Sequence, residues 1–202
     1  MRARTRHIVI ASIVAITIVL VFVFSDVRQL RLRQEMDPEG LVLVQGDTAS
    51  VYTEDYRAAA DCLANGHLAE AESIYTDLMQ KEPSSSDARV GLAICRMRRH
   101  DFTAAQELCR EALKLEPESV NARMNLGGCY LAMSDYTNAI EQYEVALALD
   151  AECPDAHWGL CVAYAGLGDK ANAVAHLARF KELAPDSRHI TALEDMVNRT
   201  PW

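Results

Sequence analysis

The sequence predicts an all-α chain: four helix-turn-helix units stacked into a solenoid, a capping helix after them, and one apolar N-terminal helix ahead of them. Three observations predict it. From Ile8 to Phe24 run 17 residues drawn only from Ile, Val, Ala, Leu, Phe, Ser and Thr. From position 52 to position 187 the chain repeats with a period of 34 residues, without insertion or deletion. Beyond it, Ser187 to Asn198 is amphipathic, with Ile190, Leu193 and Val197 along one edge.

Composition agrees with a folded chain. Of 202 residues 50% are apolar and 24% charged, and the formal net charge is -9. All 29 acids follow residue 24. No block of Lys or Arg interleaved with aromatics occurs, so nucleic acid is not an expected partner.

The N-terminal run, with Arg2, Arg4 and Arg6 before it, reads as a membrane signal over residues 1-25. At about 1.5 Å per residue it reaches roughly 26 Å, and His7 and Ser25 extend it towards the hydrocarbon thickness of about 30 Å. A cleaved signal peptide is the other reading, with a weak small-x-small match at Val23-Phe24-Ser25. The length favours an uncleaved single-pass transmembrane helix. Arg28, Arg31 and Arg33 nearly balance the N-terminal arginines. The free amino group tips the expected orientation towards a cytoplasmic N-terminus and an extracytoplasmic, periplasmic solenoid. A cytoplasmic solenoid is the alternative, and buried free cysteines argue mildly for it. Residues 26-51 form a juxtamembrane helix stopped by Asp37-Pro38-Glu39-Gly40, then an apolar run Leu41 to Val44, then linker.

The four copies are 52-85, 86-119, 120-153 and 154-187. Position 8 of each is Ala59, Ala93, Gly127 and Cys161, and position 20 is Ala71, Ala105, Ala139 and Ala173. Eight small side chains let two antiparallel helices approach closely, with Leu92, Leu126 and Leu160 at position 7 supplying apolar surface. Asn65-Gly66, His100-Asp101, Ser134-Asp135 and Gly168-Asp169 break the periodicity and predict the turns. Pro83, Pro117 and Pro185 end the second helices at position 32, where the third copy has Ala151, followed by Pro154. Residues 188-202 form the cap and tail.

The motif Asn125-Leu126-Gly127-x-x-Tyr130, followed by Asp135-Tyr136, Ala139 and Ala146, resembles the tetratricopeptide repeat (TPR). The resemblance covers two thirds of the chain and implies a right-handed TPR solenoid that binds proteins. Two departures stand out. The family's Trp at position 4 is replaced by Asp55, Arg89, Arg123 and His157, and its aromatic at position 11 by Arg96 in the second copy. The branch that clamps a terminal carboxylate with Lys, Asn and Arg is matched only at Asn125, with Tyr56 and Ala60 at two clamp positions of the first copy, so that role is not expected.

Catalytic chemistry is not found. There is no CxxC, CxxCH, HExxH, GxSxG, phosphate loop or dinucleotide fingerprint, so no enzyme activity, metal or cofactor is expected. Cys62, Cys109 and Cys161 fall at core positions, and His67 and His100 near inter-helix turns.

At about 100° per residue, positions 2, 5, 9 and 12 of each first helix share a face, which should line the concave side. It carries Tyr56, Val90, Ile94, Met97, Met124, Leu131, Trp158 and Val162, with Asn125 beside them. An apolar trough of this kind suits an amphipathic helix or extended peptide of a partner protein. Burial by residues 41-44 or by a second copy of the chain is the alternative. If the trough is open, Trp158→Ala with Met97→Ala should weaken binding and leave the melting temperature nearly unchanged. The expected function is a membrane-anchored scaffold, adaptor or assembly factor. The alternative is a permanent structural subunit of a larger membrane complex.

Overall fold

The computed structural model describes residues 53–199, so the expected anchor (1-25) and the whole juxtamembrane segment (26-51) lie outside the described residues. Among those described, every regular element is an α-helix. The first copy gives α1 (Thr53–Asn65) and α2 (Leu68–Lys81), and the second α3 (Ser86–Arg98) and α4 (Phe102–Leu115). The third gives α5 (Val120–Ala132) and α6 (Tyr136–Leu149), and the fourth α7 (Pro154–Leu167) and α8 (Lys170–Leu183). The cap, α9, is Ile190–Arg199. It begins three residues later than the expected Ser187, because the chain first turns back on itself with the Ile190 amide donating to the Ser187 carbonyl at 3.2 Å.

Local chemistry sets these boundaries. Ser85 and Ser119 accept from the amides of Ala88 and Ala122 at 3.1 and 3.4 Å, capping α3 and α5. Asp101, Asp135 and Asp169 cap α4, α6 and α8 in the same way. Each turn needs one left-handed residue, always at position 15: Gly66 (φ 81°), His100 (62°), Ser134 (63°) and Gly168 (80°). Two copies hold a side chain there against a cost of about 1 to 2 kcal/mol, so hairpin packing overrides local preference.

The repeated small residues mark the closest helix contacts. Ala59, Ala93 and Cys161 at position 8, and all four alanines at position 20, have no solvent exposure. Position 24 then fills the seam between neighbouring copies. Tyr143 of α6 has no exposed surface, and a Cβ on Gly127 or Gly159 would stand 2.8 or 2.5 Å from its ring. Tyr75 meets Gly91 of the next copy in the same manner, with a hypothetical Cβ 2.2 Å away. Glycine at these helical sites makes room for a tyrosine ring.

Polar pairs occupy the place of the absent tryptophans. At position 4, Asp55 pairs with Lys81 (3.0 Å), Arg89 with Glu111 (3.4 Å), and Arg123 donates to Gln142 (3.1 Å). His157 Nδ1 meets His176 Nδ1 at 3.0 Å. Each pair ties the first helix of a copy to its own second helix. Position 11 instead ties a copy to its predecessor: Arg96 to Glu72 (2.8 Å), Tyr130 to Arg110 (2.9 Å) and Tyr164 to Glu144 (3.1 Å). Finally α9 lays Leu193 and Val197, each 3% exposed, onto the last copy, as the apolar edge predicted.

Candidate protein-binding face

The first helices α3, α5 and α7 are buried over most of their length and lie between neighbours on both sides, so their shared face is far more closed than an open trough. Met97 is fully buried, and Asn125, Leu131, Trp158, Met124, Ile94, Val90 and Val162 are 1% to 7% exposed. Only Tyr56 is half-buried. The expectation of a solvent-open apolar groove is corrected accordingly. Met124, Leu131, Trp158 and Val162 belong to one apolar cluster with Leu193 and Val197 of α9, while Val90 and Ile94 join the cluster of the first two copies. Met97 packs towards α5, its Cε 3.2 Å from where a Cβ on Gly128 would stand. The physical reason is the close stacking of first helices: positions 5, 9 and 12 of one copy interleave with those of the next.

The polar members of this face are held locally. Asn125 Nδ2 donates to the Asn121 carbonyl at 2.8 Å. The Tyr56 hydroxyl lies 3.1 Å from Glu82 and 2.5 Å from Ser85, and burial is the main cause that pushes its pKa up to about 12. What the face leaves to solvent is position 2, where Thr53, Asp87 and Asn121 are exposed and Asp155 is half-exposed. Exposed apolar side chains lie elsewhere: Met133 follows α5, Leu167 ends α7, Leu115 and Leu149 end second helices, and Val174 lies within α8. Sequence reasoning missed them because it sought apolar surface on one face of the first helices and not at helix ends or on second helices.

A second polar group sits between α7 and α8. The His157 and His176 rings lie 5.3 Å apart, and Tyr164 stacks on His176 at 5.6 Å with planes 7° apart. Burial lowers the pKa of His157, with Arg179 adding to it. Burial likewise lowers His176, with His157 adding to it and Glu144 opposing. Both rings are therefore neutral at pH 7. A proton bound to either must be paid for in folding free energy, so their contribution is full above the ordinary imidazole value. It is lost as the pH falls from about 6.5 through the lowered folded values. Urea unfolding between about pH 7.5 and pH 5 should show stability falling with acid, and a shallower fall in His176→Asn. An equal slope in both proteins refutes the coupling.

Thiols are mostly interior. Cys95, Cys109, Cys129 and Cys161 have no exposed surface, and burial chiefly pushes Cys95 and Cys161 up to about 12. Cys62, expected in the core, is only half-buried. It stands at the end of α1 facing the turn, where its Sγ, a His67 ring nitrogen and a Glu70 carboxylate oxygen all lie within 4.8 Å of one another. Sequence reasoning passed over this trio because Cys-x4-His-x2-Glu matches no familiar ligand spacing.

Four hairpins in register, with their first helices in one row, define the class: a helical-repeat solenoid. The chain belongs to the tetratricopeptide-repeat family. Two models of that repeat match it, one over residues 96–151 and 130–188, the other over 63–106. Solved structures agree on the fold. A thermophilic TPR protein of Thermus thermophilus superposes with TM-score 0.65 at 18% identity, over 71% of this chain and 79% of that one. MamA from Desulfovibrio magneticus RS-1, residue 41 to its end, gives 0.63 at 22% identity, over 76% and 86%. YrrB, described as a TPR protein with an unusual peptide-binding site, gives 0.60 at 18%, over 73% and 76%. No curated protein matches the chain.

Proposed function

We propose that this chain is a membrane-anchored adaptor or assembly factor that holds a segment of a partner protein along the row of first helices. The observation that carries the reading is the tetratricopeptide architecture itself, a fold generally used as a protein-interaction scaffold, matched over residues 63–188. The 17-residue apolar run at Ile8 to Phe24 supports the anchor, and the peptide-binding description of YrrB supports the use of such a fold for segments. Because positions 5, 9 and 12 are largely interior, the partner would meet Asp87, Asn121 and Asp155 with the edges of Trp158 and Val162 beneath them. The exposed Met133, Leu167, Leu115 and Leu149 favour the second reading, a permanent subunit of a membrane complex.

Photo-reactive side chains placed at Asp87, Asn121 and Asp155 of the full chain in membranes, and in parallel at Glu107 and Glu141 of the second helices, separate these readings. Adducts to one protein from the first set only are expected, from chain that stays with membranes after alkaline wash. Adducts from the second set only, or release by the wash, defeat the proposal. A stoichiometric complex that never yields free chain establishes the subunit reading instead.

A further inference from the structure

We propose that Cys62, His67 and Glu70 form a surface site for one Zn2+ ion, with water as the fourth ligand. The three donors are of three kinds, thiol sulfur, imidazole nitrogen and carboxylate oxygen, all of which zinc accepts. They come together because the turn at Asn65-Gly66 reverses the chain, closed by the His67 amide donating to the Cys62 carbonyl at 2.8 Å. Their donor atoms lie within 4.8 Å of one another. In a tetrahedral shell of radius about 2.0 to 2.3 Å they would stand about 3.3 to 3.8 Å apart, a closure of roughly 1 Å that side-chain rotation supplies.

The chain's own repeats provide an independent argument. At position 16 the other three copies hold Asp101, Asp135 and Asp169, each accepting from a backbone amide at the start of the second helix. The first copy has His67, which makes no side-chain cap bond. Its Nδ1 lies 3.7 Å from Glu70 Oε2. A cap generally contributes about 1 kcal/mol, so the first copy forgoes that and places a metal-binding side chain beside a thiol and a carboxylate. At position 11 the other copies use Arg96, Tyr130 and Tyr164 to reach the preceding copy. The first copy of the repeat has no predecessor, and Cys62 at this position stands beside His67 and Glu70. On binding, the Zn–S bond forms as the thiol proton leaves to solvent, and water occupies the exposed side, where His67 and Glu70 are 64% and 65% exposed.

The full-length chain in detergent, stripped of metal, is titrated with Zn2+ by calorimetry and with Co2+ by absorption. One equivalent of zinc is expected, with a raised melting temperature and a thiolate-to-cobalt band. Cys62→Ser, His67→Ser and Glu70→Gln should each weaken binding at least about tenfold. Because serine is a good helix cap, His67→Ser should melt no earlier than the metal-free parent. Zinc binding only at millimolar concentration overturns the site. So does unchanged affinity in Cys62→Ser and His67→Ser, or a thiolate band that persists in Cys62→Ser.

Discussion

Tyr143→Ala is expected to lower the unfolding free energy by about 3 to 5 kcal/mol, the range for truncating a fully buried aromatic. The ring is wholly buried, between Gly127 of its own copy and Gly159 of the next. Its removal leaves a void that two helical glycines cannot fill, because they have no side chains and their backbones are fixed by the surrounding stack. A large part of the cost falls on the seam between the third and fourth copies, so α7, α8 and α9 should lose protection first. Urea titration measures the loss as a lower midpoint at nearly constant slope. A loss under about 1 kcal/mol would mean that the neighbouring copies collapse onto each other without strain.

Trp158→Ala should cost about as much, roughly 3 to 5 kcal/mol, since the indole is 4% exposed and clusters with Met124, Leu131, Val162 and α9. Met97→Ala adds a further loss of about 2 to 5 kcal/mol at a side chain with no exposure. The double variant therefore melts far below the parent, the opposite of what an open groove requires. Calorimetric melting of the two single variants and the double decides between them. An unchanged melting temperature in Trp158→Ala would restore the ring to the binding surface. Any loss of partner binding by the double variant reports unfolding, which is why position 2 carries the binding test.

The hairpins were legible in the sequence because the 34-residue period let each position be checked four times. Small residues at positions 8 and 20 and turn residues at positions 14 to 16 can only be satisfied together by antiparallel helices. The binding face was less legible. Helix geometry assigns Val90, Met124 and Trp158 to one stripe, but whether a stripe is solvent or seam depends on how closely the next copy approaches. That spacing is set by pairs such as Tyr75 against Gly91 and Tyr143 against Gly159, which lie about half a repeat apart in sequence. The polar replacements at position 4 were visible as departures, yet their partners, Lys81, Glu111, Gln142 and His176, lie at three different register positions and follow no period. Cys62 beside His67 and Glu70 was missed for a related reason: its signal was a difference between copies, a histidine where three aspartates recur, whereas a repeat is found by likeness.

The four fully buried thiols bear on what kind of redox compartment the repeats could occupy. A reactive thiolate needs water to leave its proton in and an oxidant within reach, and Cys95, Cys109, Cys129 and Cys161 have neither. Their presence is thus equally compatible with a reducing and an oxidising surrounding, and the cysteine count loses its value as a topological clue. The half-exposed pair, Cys62 and Cys153, sits in different copies. Cys62 and Cys153 are the two thiols with any solvent contact, and burial still pushes Cys153 up to about 11, so the folded chain keeps its sulfur chemistry almost wholly inside the helix stack.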